Sequence, residues 1–358
     1  MPQASRTTTV TPPRRGRRIN PPANIFAIVM STGIVSMAAH NAGMTTVAMA
    51  MLWLNAVVYA VLWVLFSIRL ARSFADARAD FQNHALAPGF FTMVAATSVL
   101  GRQAILLADS LELGKGLWIL ALGLWVVITY LMLPGLIELP KKPSLRMGLN
   151  GGWLLVVVAT QSLCVLGCRI AGEFPAEQAR GIMFASLGFW LVGAMIYIWL
   201  ISMIFHRWMF LPMSPGDLTP SYWINMGAMA ISTLAGVSLT RNADQLPLLV
   251  EILPFVKGFT LLFWATATWW IPMLLVLGYW RHMRRRYPLH YEHGYWSIVF
   301  PLGMYTVCTQ GVQNEFNLPF LSVIPAVFVW IALGAWCLAA AGLVAHLLKK
   351  LSRQPARD

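Results

Sequence analysis

Arg102 sits well inside a long apolar stretch, 87–107, about five residues from its end. A guanidinium held within a bilayer costs roughly 2.5–3.5 kcal/mol on insertion scales, so such a residue asks for a reason. It either draws an anion toward a passage or snorkels its charge to the nearby interface. His40 closes the first apolar stretch, where it lines a vestibule or caps an interface. His290-Tyr-Glu-His293 brings two imidazoles and a carboxylate into one loop. Those are metal-ligand types, but their spacing is a weak signal, and no metal or cofactor is expected. There is no nucleophile elbow, no phosphate-binding glycine loop and no zinc-protease helix, so covalent chemistry is not indicated. Cys164, Cys168, Cys308 and Cys337 all lie in apolar runs and read as buried thiols, not a disulfide framework.

The acids deepen this picture. Asp109, Glu112, Glu173, Glu177, Asp244, Glu251 and Glu315 fall in loops on one side, and Glu138 at the end of a stretch. Proton-driven carriers commonly run on intramembrane carboxylate or histidine relays. An acid-free middle points to a passive or weakly coupled anion pathway, or to a substrate that carries its own proton.

The elements that position these groups follow from composition. The chain has 358 residues, 58% apolar and only 11% charged, with a mean hydropathy of +0.66. Soluble domains are about 45–50% apolar and about 25% charged, which excludes a soluble single-core enzyme and a disordered chain. About 20 apolar residues cross a bilayer as a helix. Ten stretches qualify: 22–41, 45–68, 87–107, 117–138, 148–171, 180–205, 221–240, 250–280, 294–313 and 320–347. Residues 1–20 form a basic, disordered tail, 21–348 the ten-helix transmembrane domain, and 349–358 a second basic tail. Ten spans put both termini on one side. Of the 26 lysines and arginines, 20 fall on that side, which marks it as cytoplasmic. The net charge of +13 is therefore topological, and no nucleic-acid partner is expected.

The odd-numbered stretches resemble one another. Each carries a threonine in register: Thr32, Thr97 (followed by Ser98), Thr160, Thr233 and Thr306, spaced 65, 63, 73 and 73 residues apart. A period of that size suggests one helical hairpin used five times. Odd stretches hold hydroxyls and chain breakers (Pro21, Pro22, Pro88, Gly89, Gly151, Gly152, Pro220, Pro301), and even ones are bulky. Interrupted, hydroxyl-bearing helices suit a water-lined passage, and bulky ones suit lipid. The expected fold is all-α: odd helices inner and pore-lining, even helices outer. Close helix packing is the competing reason for small residues.

Phe26-Ala-Ile-Val-Met-Ser-Thr-Gly-Ile-Val-Ser36 and Trp296-Ser-Ile-Val-Phe-Pro-Leu-Gly-Met-Tyr-Thr306 resemble the tellurite-resistance/dicarboxylate transporter family. That family includes malate carriers and sulfite efflux pumps and is related to slow-type anion channels. The resemblance extends over about residues 20–347. It implies a plasma-membrane homotrimer with a pore in each protomer, transporting malate-like C4-dicarboxylates or small oxyanions such as tellurite and sulfite. It also implies that Phe300, beside Pro301, plugs the pore, and that Gly33 marks its narrow part. Ser31 stands where the carriers often have glycine, which leaves the substrate open. The site set is thus Phe300 and Pro301 as gate, with Gly33, Thr32, Thr97, Ser98, Arg102, Thr160, Thr233 and Thr306 as lining. A membrane-anchored enzyme or haem-binding subunit is the alternative, and it would need paired histidines across spans.

Overall fold

The structure, a computed structural model, describes residue 22 and residues 24–352. The tail expected at 1–20 lies outside the described residues, as does 353–358. The long helices are α1 (Ala27–Asn41), α2 (Thr45–Arg72), α3 (Phe91–Ala108), α4 (Leu111–Ile137), α5 (Leu155–Ala171), α6 (Ala176–Phe210), α7 (Ile224–Arg241), α8 (Leu253–Tyr279), α9 (Trp296–Glu315) and α10 (Val323–Ser352). Short helices at 74–81, 145–148 and 247–251 join them, and no strand occurs among the described residues. Eight helical segments are long and apolar enough to cross a membrane; they do not include α1, with its 15 residues, or α9. Even Leu155-Val-Val-Val158 is helical, because backbone groups in an apolar setting need internal hydrogen bonds more than the residues need their preferred conformation.

The chain breakers do not interrupt the odd helices. Pro88 and Gly89, Gly151 and Gly152, and Pro220 lie in 3₁₀ turns at 87–90, 151–154 and 220–223 that lead into α3, α5 and α7. Proline there fixes φ without losing a needed donor. At 151–154 the turn is capped, with Asn150 Oδ1 accepting from the Gly152 N–H at 2.7 Å. Of the expected breakers, Pro301 is the one inside its helix, while the bulky α4 and α8 contain Pro134 and Pro272. At the opposite end, Gly43, Asp109 and Asn317 take left-handed backbone conformations where α1, α3 and α9 turn back.

Packing sorts the helices into two layers. α1, α3, α5, α7 and α9 contact one another in sequence, and α9 returns to α1, closing a ring. α2 packs between α1 and α3, α4 between α3 and α5, α6 between α5 and α7, α8 between α7 and α9, and α10 between α9 and α1. Burial follows this sorting: the most apolar windows of the segments containing α3, α5 and α7 are 83–94% buried, those of the five outer helices 17–33%. Residues 27–39 of α1 are all buried.

Several outer helices run past their apolar stretches into charged sequence. α2 continues to Arg72 and α6 to Phe210, and α10 takes Lys349 and Lys350 out of the expected tail. Three arginines near the ends of α2, α6 and α8 are buried against acids. Arg69 pairs with Asp80 at 2.5 Å, Arg207 with Asp217 at 3.6 Å, and Arg281 with Glu292 at 3.8 Å. Arg207 also donates to the Leu149 carbonyl and the Tyr222 hydroxyl. A charge met this way does not end a helix.

Asp217 yields a pH prediction. Partial burial pushes its carboxyl up, but the Ser214 N–H and hydroxyl and the Arg146 guanidinium outweigh that and hold it below the usual range. A depressed folded value stabilises the fold above the unfolded carboxyl value of about 3.9 and is lost as pH falls through the folded value. Thermal melts should show a decline on acidification below about pH 4, shallower in Asp217→Asn. Equal slopes in the two proteins would contradict this.

Candidate functional site

The five-helix ring encloses a row of cavities. The first, about 340 Å³, lies at the end where the ring helices begin. The turns ahead of α3, α5, α7 and α9 contribute Gly89, Gly152, Ser221 and Gly294, and Asn24 comes from just before α1. Five helix N-termini therefore converge there, each carrying partial positive charge, which favours an anion. Asp80 and Glu292 also line this cavity, but their charges are met by Arg69 and Arg281.

Farther along the axis the passage shrinks to a gap of about 10 Å³. That holds one water at most. Its walls are apolar (Ile34, Val99, Val165, Ile231, Met304) apart from Ser98, Ser162 and Arg102. The Ser98 hydroxyl is buried and has no hydrogen-bond partner among the described residues. At the far end two cavities of about 250 and 290 Å³ open. Arg102, Arg241 and Ser238 line both, Arg169 and Glu173 line the second, and amides of Asn41, Gln310, Asn314, Asn242 and Gln245 add to the polar surface.

The sequence-derived residues separate into two groups. Arg102 and Ser98 face the axis. The five threonines line none of these four cavities. Thr97, Thr160, Thr233 and Thr306 each donate to the carbonyl four residues earlier. Thr32, Thr97 and Thr160 also bond aromatic side chains of outer helices. Gly33 faces α2 and α3: a Cβ there would strike Val99 and crowd the hydrogen-bonded Asn55 and Gln103 side chains. Pro301 packs against Gly227 of α7. Phe300 is fully buried. On α9, Ser297 lines the first cavity and Met304 and Val307 line the later ones. Phe300 falls on the same 3–4-residue stripe, at the level between them.

For Thr32, Thr97 and Thr160 the structure gives a role other than the expected one. An aromatic residue of each outer helix reaches the next ring helix. The Tyr59 hydroxyl meets Thr97 Oγ1 at 2.7 Å, and Trp125 Nε1 donates to Thr160 Oγ1 at 2.8 Å. Trp190 Nε1 donates to the Ser232 carbonyl at 3.0 Å, and Trp264 Nε1 to Thr309 Oγ1 at 3.1 Å. Trp336 Nε1 donates to Thr32 Oγ1 at 3.0 Å and closes the circle. These bonds pin the outer layer to the ring. Hydrogen bonds in membrane proteins are worth about 0.6 kcal/mol on average and at most about 1.7. Trp125→Phe should therefore lower thermal stability in detergent by that order while leaving anion selectivity unchanged. An unchanged melting temperature would remove the pin.

Sequence reading missed Arg169, Arg241, Ser162 and Met304. Arg169 falls at the end of the stretch 148–171 and Arg241 just past 221–240, and both close the last turns of their helices. The signal was available, since both lie within a few residues of Arg102's position in the repeat. The histidines of the 290–293 loop follow another course: His293 faces His346 of α10, ring to ring at 6.0 Å. Burial first, then His346 and Lys350, lower its pKa.

A closed helix ring around an axial row of cavities, sheathed by apolar helices, defines a helical membrane protein built around a path for solute. The chain belongs to the voltage-dependent anion channel family, whose model matches residues 20–344. A membrane protein of Mycobacterium tuberculosis is 37% identical over 158 residues, 44% of this chain and 80% of the relative. The malic acid transport protein of Schizosaccharomyces pombe is 25% identical over 44% of this chain and 37% of its own length. A sulfite efflux pump of Trichophyton rubrum is 23% identical over 87% of both chains.

Proposed function

We propose that this protein is a passive or weakly coupled anion channel of the plasma membrane. Its substrates are C4-dicarboxylates such as malate, or small oxyanions such as sulfite and tellurite. All ten long helices span the bilayer as five hairpins, with the odd ones inner and both termini cytoplasmic. The protein assembles as a homotrimer with one pore per protomer. The observation that carries this reading is the axial row of cavities, which narrows to a gap lined by Ser98 and opens onto Arg102. Supporting it are the converging helix N-termini, the basic residues at that end, and relatives named for malic acid transport and sulfite efflux. Phe300 acts as a hydrophobic gate, held by the packing of Pro301 on Gly227. Ser98 and Arg102 meet the anion, and Gly33 and the threonines act through helix packing.

Purified protein in liposomes should pass malate, sulfite, nitrate or chloride down its own gradient. Imposing a proton gradient should change uptake of a fully ionised test anion by less than about twofold, because among the described residues no carboxylate lines the narrow gap. Absence of flux for all four anions overturns the channel reading. Strong acceleration by the proton gradient overturns its passive form.

A further inference from the structure

We propose that the outer vestibule selects singly charged, planar oxyanions, and that Glu173 and Glu315 set this limit by occupying two of its three arginines. This rests on the anion-pathway reading and names the class of ion that the site takes.

Arg102 is common to both outer cavities and the narrow gap. Arg241 lines both outer cavities, and Arg169 lines one. Two of these cations are met by carboxylates: Arg169 Nη1 is 3.5 Å from Glu173 Oε1, and Arg241 Nε is 3.5 Å from Glu315 Oε2. Among the described residues, no carboxylate pairs with Arg102 and no hydrogen bond holds it. Three guanidiniums and two carboxylates leave one uncompensated positive charge, placed at the mouth of the apolar gap.

That count decides the valence. One negative charge neutralises the vestibule. A dianion would carry a surplus charge to the edge of a gap walled by Ile34, Val99, Val165, Ile231 and Met304, where an unpaired charge is costly. The shape of the cation decides the geometry. A guanidinium presents parallel N–H donors matching two oxygens of a planar oxyanion, whereas a halide meets the fork at one point. One helical turn below Arg102, the unpartnered Ser98 hydroxyl can donate to the same ion as it advances. A dicarboxylate would enter in its singly protonated form, by its one planar carboxylate group.

The test uses full-length protein in liposomes with nitrate, formate, chloride and sulfate, and in detergent for ligand-dependent thermal shifts with the same ions. Wild-type protein should pass nitrate and formate at least about tenfold faster than sulfate, and faster than chloride. Arg102→Gln should abolish the preference over chloride, since a charge-assisted hydrogen bond of this kind is worth about tenfold or more. Glu315→Gln and Glu173→Gln, each freeing a guanidinium, should raise sulfate flux relative to nitrate several-fold. Sulfate passing as fast as nitrate in wild type would overturn the proposal. So would an unchanged sulfate-to-nitrate ratio in both glutamine variants at normal thermal stability. If no ion crosses but nitrate and formate, not sulfate, raise the wild-type melting temperature, the site stands and the pathway reading fails. If no ion crosses and none stabilises, the site fails as well.

Discussion

Phe300→Ala raises anion flux at least about tenfold at equal protein density, equivalent to about 1.4 kcal/mol off the permeation barrier. The ring of Phe300 is fully buried at the level between the first cavity and the narrow gap, on the α9 stripe shared by Ser297, Met304 and Val307. An apolar plug there blocks by volume and by keeping the section dry, and removing it lets water and then ions through. Removing a buried Phe also leaves a cavity, and in soluble cores Phe→Ala costs about 3–5 kcal/mol. A smaller change keeps the test clean: Phe300→Leu retains much of the packing and should give intermediate flux with near-normal thermal stability. Wild-type flux in both variants, measured with folded protein, would mean that Phe300 only packs.

Arg102→Gln lowers flux most at low substrate concentration. The guanidinium lines both far-end cavities and the gap, and on the proposed pathway its charge enriches anions at that mouth. Enrichment matters when sites are empty and little when they are full. The deficit should be several-fold in low salt and shrink as salt rises, because the Debye length falls from about 10 Å at 0.1 M to about 3 Å at 1 M. Arg102→Lys separates two kinds of contact. A point charge suffices for steering, and lysine should preserve it. A bidentate grip on two oxygens needs the planar fork, and lysine should not preserve that. Wild-type flux and salt dependence in Arg102→Gln would remove this residue from the path.

How much of the site could be read from the chain differs residue by residue. Arg102 stood out because a charge in an apolar stretch is rare enough to signal itself, and the structure turns it to the axis. Arg169 and Arg241 did not, because each sits where a span gives way to a loop and its hydropathy signal is that of a boundary. The threonines show the opposite failure. Their period was plain, but a period gives register along the helix and not direction around it. Thr32 and Thr160 turn outward because tryptophan N–H groups of α10 and α4 need acceptors in an apolar layer. Phe300 was singled out by resemblance alone, since a phenylalanine in an apolar stretch is ordinary.

What the sequence determined by itself was the solvent, the helices and their alternation. Apolar fraction and low charge require a membrane. Backbone hydrogen bonding in that setting requires helices. The repeat foretold two kinds of helix. The tertiary structure alone decided which face of each ring helix meets the axis and which of the arginines beside the far-end cavities are met by carboxylates. The physical reason is that the ring helices are buried on all sides, 83–94% in three of them. A helix apolar all round has no amphipathic stripe to declare its inner face. Its orientation is set by neighbours distant in the chain, through contacts such as Gly227 with Pro301, Gly33 with Val99, and Thr160 with Trp125.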